Sequence, residues 1–128
     1  MQVQPYLSFE GRAEEAIEFY KSALGAKVTM LMRFSETPDK PPPGTMPPGS
    51  EKKVMHSAMT IGDSVVMATD GYNSGKSNFE GISLSLTAKD DADAKRLFEK
   101  LADGGAITLP LSKTFFASSF GMVKDRFG

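Results

Sequence analysis

Two stretches of the chain combine an apolar stripe at helical spacing with a charged opposite side. In the first stretch the stripe recurs every three or four positions and consists of Ala13, Ala16, Ile17, Tyr20, Ala23 and Leu24. In the second it consists of Ala94, Leu97, Phe98 and Leu101. Glycine follows each stripe, at Gly25 and at 104–105, where a left-handed residue commonly ends a helix. The pattern predicts two amphipathic helices.

Apolar runs and period-two alternation predict strands before, between and after these helices. The predicted strands cover residues 3–9, 27–34, 53–61, 64–69, 81–86, 106–111 and 116–124. Gly62-Asp63 separates two of them and predicts a tight hairpin turn. Within 81–86, apolar and small residues alternate. This alternation predicts one face against the second helix and one hydroxyl-bearing face toward a cavity.

The order of strand, helix and strand occurs twice, with matching residue types. Ala16 aligns with Ala94, and Tyr20 aligns with Phe98. The fold class is therefore predicted to be α+β, with two similar modules in a single domain spanning 1–128: module one at 1–69, a linker at 70–80 and module two at 81–128. We expect the functional site where the modules face each other. Module two shows one strand fewer than module one, so its closing strand is expected to be missing from this sequence.

A proline-rich segment at 35–52 interrupts the strand pattern of module one. It contains six of the eight prolines, and such runs favour extended polyproline II structure. Three interpretations stay open: a lid over a site, an arm in a dimer, or a solvated hairpin insertion.

Composition excludes some classes of partner. Fifteen basic and sixteen acidic residues give a formal net charge of −1, with no basic stripe interleaved with aromatic residues. Nucleic acid is therefore not expected as a partner, because phosphate binding needs clustered Lys and Arg. No apolar run approaches the ~20 residues of a membrane helix, so no membrane association is expected. The absence of cysteine removes disulfides and thiolate chemistry and is consistent with a cytoplasmic location.

Several segments together resemble the PhnB-like group of the vicinal oxygen chelate superfamily, which contains glyoxalases, bleomycin-resistance proteins and dioxygenases. The residues that carry the resemblance lie at 5–12, 15–20, 47–49, 54–57, 61–64 and 120–128. The likeness spans essentially the whole chain. It implies two βαβββ modules that form half-barrel sheets, a metal site or ligand pocket in each, and a homodimer.

The resemblance also implies where superfamily metal ligands would lie. Those positions fall on Pro5, near Met67 and on Gly81, and a fourth lies beyond residue 128. None of the three carries the His or carboxylate that suits a borderline or hard dication. We therefore predict no metal ligands and no cofactor, and a divalent metal is disfavoured.

His56 is the only histidine, so any general acid–base hypothesis depends on it. Catalysis, ligand contact and a purely structural role are the three alternatives. Methionines on the predicted strands either line an adaptable apolar pocket or fill space beneath the helices: Met30, Met32, Met55, Met59, Met67 and Met122. The predicted pocket consists of Pro5, Leu7, Phe9, Arg33, His56, Met67, Gly81, Ser83, Ser85 and Lys113.

Arg33 is considered as a partner for an anionic ligand group, with a solvated strand end as the alternative. Lys113 is considered as a residue at a pocket mouth or simply on a loop. The chain has no GxGxxG, P-loop or GxSxG motif. The missing glycine loop weighs against an S-adenosylmethionine-dependent methyltransferase, a description also used among PhnB-like proteins.

These observations leave three functional hypotheses. The first is a metal-independent protein that binds a small molecule. The second is an isomerase, lyase or dioxygenase of the same superfamily with a rearranged site around His56. The third is a non-catalytic dimer that sequesters a drug-like molecule or binds a partner.

Overall fold

The first 77 residues fold as a mixed four-stranded sheet with one helix packed against it. The computed structural model describes all 128 residues and divides them into unit 1, Met1–Ser77, and unit 2, Asn78–Gly128. Unit 1 contains β1 (Tyr6–Ser8), α1 (Ala13–Leu24), β2 (Lys27–Arg33), β3 (Val54–Ile61) and β4 (Ser64–Thr69). Short 3₁₀ turns lie at Phe34–Glu36 and Ser50–Lys52.

The sheet of unit 1 has the strand order β1-β4-β3-β2. β1 runs parallel to β4, whereas β4, β3 and β2 are antiparallel neighbours. The predicted hairpin at Gly62-Asp63 is confirmed, because Ile61 pairs with Ser64 and Gly62 has a φ of 58°. Such a positive φ is the conformation that tight hairpin turns require.

The predicted stripe of α1 packs against the sheet. Its buried residues are Ala13, Ala16, Ile17, Tyr20 and Ala23. The ring centroids of Phe9 and Tyr20 are 6.3 Å apart, so Phe9 joins this core. Gly25 ends the helix with a φ of 67° and donates its N–H to the carbonyl of Lys21, as the stripe-then-glycine pattern predicted.

A buried carboxylate from beyond β4 caps the start of α1. Arg12 occupies the N-cap position without a side-chain cap. Instead, Oδ1 of Asp70 accepts hydrogen bonds from the N–H groups of Gly11 and Ala13, both at 2.8 Å. Oδ2 accepts from the N–H of Val54 at 2.8 Å, which also ties the start of β3 to this point. The predicted linker 70–80 therefore begins inside unit 1.

Unit 2 contains one helix and a two-stranded antiparallel sheet: α2 (Asp91–Ala102), β5 (Ala106–Ser112) and β6 (Phe120–Lys124). The Asp90 carboxylate caps α2 by accepting from the N–H of Asp93 at 2.7 Å. The predicted stripe of α2 is only half-buried, and no residue of this helix is fully buried. Neither helix of the chain has the length and hydropathy needed to cross a bilayer.

The strand predicted at 81–86 does not form, and this prediction is wrong. The segment is irregular, and Ile82, Leu84 and Leu86 are 71%, 47% and 45% exposed. In unit 1 the corresponding strand β1 bonds to β4, but unit 2 contains no strand corresponding to β4. Alternation alone does not make a strand, because the backbone groups also need a paired neighbour.

The last strand is shorter than predicted, beginning at Phe120 instead of Phe116. The residues before it form a turn in which the N–H of Thr114 donates to the carbonyl of Ala117 at 2.9 Å. Hydroxyls of Ser118 and Ser119 donate to Asp91 of α2. These bonds lower the pKa of the Asp91 carboxyl. The overall α+β class is confirmed.

Candidate functional site

One face of the unit 1 sheet, opposite α1, carries half-exposed methionines around a small residue. Register places Met30 and Met67 on either side of Ala58, and Met32 directly opposite His56. We call this the methionine face, defined by Tyr6, Met30, Met32, His56, Ala58 and Met67. The next residues on β3 and β4, Ser57, Met59, Val66 and Ala68, point to the other side and are buried. Met30, Met32 and Met67 therefore lie on the methionine face, whereas Met59 lies on the opposite side of the sheet, in the core.

Tyr6 and His56 form a hydrogen-bonded pair on the methionine face. Nδ1 of His56 lies 3.0 Å from Oη of Tyr6. The two rings meet edge to face, with centroids 5.3 Å apart and planes at 80°. Since β4 lies between β1 and β3, the Tyr6 side chain reaches across one strand to make this contact. The sequence did not indicate Tyr6 as a site residue. Alternation along β1 assigns Tyr6 to this face only when its pairing with Met67 of β4 is known.

The predicted pocket residues Leu7, in β1, and Phe9, directly after it, are placed differently from the prediction. Tyr6, not Leu7, pairs with Met67, and Leu7 pairs with buried Ala68. Phe9 is buried beside Tyr20. The prediction that Leu7 and Phe9 share a face with Met67 is therefore wrong, because the parallel register is offset by one residue from the one assumed, and a one-residue offset exchanges the two faces of a strand.

Arg33 follows Met32, which pairs with His56, but its side chain bonds to other partners. It pairs with Val54 in the ladder, on the side of the sheet that carries α1. Its guanidinium forms an ion pair with Glu14 of α1 and donates to the carbonyl of Lys52 at 2.7 Å. The hydrogen bond from Arg33 lowers the pKa of the Glu14 carboxyl and correspondingly raises the pKa of Arg33. Three of the five N–H donors of the Arg33 guanidinium are thus already used within unit 1.

The remaining predicted pocket residues belong to unit 2. Gly81, Ser83 and Ser85 lie in the exposed irregular segment, and Lys113 lies in the exposed loop after β5. Their participation in a pocket stays a prediction, as does a site located where two modules face each other.

The positions implied for superfamily metal ligands do not offer a suitable donor set. Pro5 and Met67 do lie side by side, since the N–H of Met67 donates to the carbonyl of Pro5 at 2.9 Å. Proline has no donor atom in its side chain, and Gly81 has no side chain. No group of three His, Cys, Asp or Glu residues in the chain could hold a metal ion. A His and carboxylate site of the superfamily type does not fit these residues.

Glu10 anchors the loop that follows β4. Its carboxylate accepts from the hydroxyls of Ser8 and Ser74 and from the N–H groups of Tyr72 and Ser74. Partial burial alone would raise the pKa of Glu10, but these hydrogen bonds together lower it. Glu10 holds a φ of 50°, which is uncommon for a residue with a side chain. The loop 71–75 is thereby fixed to the end of β1.

A cavity of about 980 Å³ lies beside the proline-rich segment, and none of the predicted pocket residues lines it. Its walls include Phe34, Lys40, Pro42, Met46, Pro47 and Tyr72. The Lys40 ammonium donates to the carbonyls of Phe34 and Ser35, which holds the start of the segment in place. The role of 35–52 as lid, dimer arm or insertion stays a prediction.

Comparison with known proteins identifies the family. The family model described as 3-demethylubiquinone-9 3-methyltransferase matches residues 1–128. The chain belongs to this family, whose members include the PhnB-like proteins. The predicted resemblance to the PhnB-like group is therefore confirmed.

Individual relatives agree with this placement. Protein YjdN of Escherichia coli K12 is 34% identical over 135 residues, covering 100% of this chain and 90% of that protein. The crystal structure of protein PA1353 from Pseudomonas aeruginosa is 36% identical, with a TM-score of 0.85 and coverage of 100% and 92%. A PhnB protein from Bacillus cereus is 29% identical, with a TM-score of 0.78 and coverage of 100% and 94%.

Proposed function

We propose that this PhnB-like protein binds a small molecule on the methionine face without a superfamily metal ion. The observation that carries the proposal is a polar pair, Tyr6 and His56, set among exposed or half-exposed thioethers. Small-molecule sites are mostly apolar with a few placed polar groups, which matches this combination. Thioethers adapt to ligands of varied shape.

The methionine face has a shallow depression at Ala58. Ala58 is flanked by Met30 on one strand and Met67 on the other. The short side chain of Ala58 between the two longer methionine side chains leaves space for a ligand. His56 lies on the same side of β3, two residues before Ala58. The apolar part of a ligand would contact the thioethers, and its polar part would meet the Tyr6–His56 pair.

Methyl-labelled methionine provides a direct test. The signals of Met30, Met32 and Met67 report the methionine face, whereas Met46 reports the proline-lined cavity and Met59 the core. In a fragment screen by NMR, we expect binders to shift the three face signals and leave Met59 unchanged. Binders that shift Met46 alone would overturn the proposal in favour of the proline-lined cavity.

Metal content tests the second part of the proposal. We expect protein purified without chelator to carry no stoichiometric dication, because the implied ligand positions are Pro5, Met67 and Gly81. One zinc, nickel or iron ion per chain, retained through dialysis, would contradict it. No cofactor is proposed.

Two alternatives share the same residues. An isomerase, lyase or dioxygenase with a rearranged site would use His56 as acid or base, and the hydroxyl of Tyr6 within hydrogen-bond distance favours this alternative. His56→Ala would then abolish turnover of any substrate found by activity screening. A non-catalytic, sequestering or partner-binding dimer would instead show binding in thermal-shift screening without product formation.

We also propose that the protein is a cytoplasmic homodimer with half-barrel sheets of the glyoxalase and bleomycin-resistance type. Exposed apolar side chains of unit 2 support an interface, and they include Ile82, Leu84, Ile107, Leu109 and Phe115. An additional strand beside 81–86, as β4 lies beside β1, would complete the second half-barrel. Light scattering that shows a monomer at micromolar concentration would contradict the dimer.

A further inference from the structure

We propose that the phenolic O–H of Tyr6 donates a hydrogen bond to Nδ1 of His56, and that Nε2–H of His56 is therefore available on the methionine face as a donor. The ligand class that fits is a molecule with an oxygen acceptor next to an apolar chain. This inference rests on the proposed function, since it names the chemistry that the same face would recognise.

The direction of the hydrogen bond follows from the acidity of the two groups. A phenol, with a pKa near 10, is a much better donor than the N–H of neutral imidazole, and imidazole nitrogen is a better acceptor than a phenolic oxygen. At the observed 3.0 Å separation, the favoured arrangement is therefore Oη–H of Tyr6 to Nδ1 of His56. With Nδ1 as acceptor, the ring proton of neutral His56 lies on Nε2.

Nothing else in the chain uses Nε2. The hydrogen bond to Tyr6 is the one that the structure gives the His56 ring. The residues nearest to it on the methionine face, Met30, Met32, Ala58 and Met67, are uncharged. A charged residue on the same side of the sheet, Lys27, pairs with Thr60, four residues along β3 from His56. An N–H donor in apolar surroundings selects for a carbonyl or carboxylate oxygen, because a donor buried by a ligand without an acceptor costs free energy. Tyr6 is thus a positioning residue that acts through His56.

The single histidine makes the first test unambiguous. Nitrogen-15 NMR of the imidazole distinguishes the two tautomers, and every imidazole signal comes from His56. We expect the neutral ring to be almost entirely the Nε2–H tautomer in the unmodified protein and a mixture in Tyr6→Phe. Tyr72→Phe is the matched control, because Tyr72 is exposed and lies in the loop after β4. Unchanged Met59 methyl signals would show that Tyr6→Phe still folds.

Three probes with similar apolar chains give the second test. Heptanoate and 2-octanone carry oxygen acceptors, whereas heptylammonium carries only donors. We expect the acceptors to shift the Met30, Met32 and Met67 methyl signals and to bind about tenfold more tightly than heptylammonium, the difference that one hydrogen bond makes. The preference should be lost in His56→Ala and reduced in Tyr6→Phe.

The outcomes separate the inference from the function on which it rests. An Nδ1–H tautomer, or a tautomer ratio unchanged in Tyr6→Phe, overturns the role of Tyr6. Preferential binding of heptylammonium overturns the ligand class. If the tautomers behave as expected but no probe shifts any signal of the methionine face, the proposed function and the ligand class are overturned while the Tyr6–His56 arrangement stands.

Discussion

Asp70 offers the sharpest test of how unit 1 is held together. Its carboxylate is 1% exposed and accepts three backbone hydrogen bonds, each 2.8 Å long, from Gly11, Ala13 and Val54. These bonds join the start of α1, the start of β3 and the end of β4 at one point. Replacing Asp70 should therefore loosen the helix and the sheet together.

The loss in the free energy of unfolding can be estimated from the three backbone N–H groups that would lose their acceptor. A buried backbone donor left without a partner costs about 1–3 kcal/mol. With three donors affected and some access of water after truncation, we expect Asp70→Ala to lower the free energy of unfolding of unit 1 by about 3–6 kcal/mol. Asp70→Asn keeps one acceptor oxygen but sets an amide group against the N–H of Val54. For this variant we expect a loss of about 2–3 kcal/mol.

Tyrosine fluorescence during urea unfolding measures this change in unit 1 alone. The chain has no tryptophan, and its three tyrosines, Tyr6, Tyr20 and Tyr72, all lie in unit 1. With a urea slope of about 2 kcal/mol/M, the midpoint of Asp70→Ala should fall by about 1.5–3 M. Asp63→Asn, in the exposed hairpin turn, is the control and should change stability by less than about 0.5 kcal/mol. If both Asp70 variants unfold at the control midpoint, the proposed role of the carboxylate is refuted.

Three further predictions concern local contacts. Hydrogen bonds lower the pKa of Glu10 in the folded protein below its ordinary 4.5. Ionised Glu10 therefore stabilises the folded state above pH 4.5, and this contribution is lost as the pH falls through the lowered pKa. Glu10→Gln should therefore be less stable than the unmodified protein at pH 7, and the gap in urea midpoint should narrow on acidification; a constant gap would contradict this. Gly71→Ala should be destabilised by about 1–3 kcal/mol more than Gly44→Ala. Both glycines have positive φ, but only at Gly71 would the new Cβ clash with a carboxylate oxygen of Glu10. Equal urea midpoints would disprove that clash. Asp90→Ala should lower the stability of α2 by about 1 kcal/mol and speed hydrogen exchange of the Asp93 amide, because the cap is lost. Asp90→Ser should keep this amide protected, since serine can also cap a helix. Equal exchange rates in the two variants would argue against the cap.

Local patterns predicted the elements of unit 1 closely. The stripe of α1, its glycine stop and the hairpin at Gly62-Asp63 depend on residues near one another in sequence, and all three were confirmed. The resemblance to the PhnB-like group was confirmed for the same reason, since family motifs are local strings of residues.

The candidate site was predicted less well, because it depends on register. Alternation along β1 could not say whether Tyr6 or Leu7 faces His56, and the parallel pairing of Tyr6 with Met67 decided it. Asp70 was assigned to a linker because it begins a stretch rich in Gly, Ser and Asn. A carboxylate directly after a buried strand was the signal that could have marked it as a cap.

The sequence by itself determined the class of the fold, the family and the positions of both helices, since helix periodicity and capping act within a few turns. Only the tertiary structure decided that the 81–86 segment is no strand, that Arg33 pairs with Glu14, and that Tyr6 meets His56. Each of these depends on which backbone or side chain lies opposite, and pairing between distant segments is set by the packed sheet rather than by any local pattern.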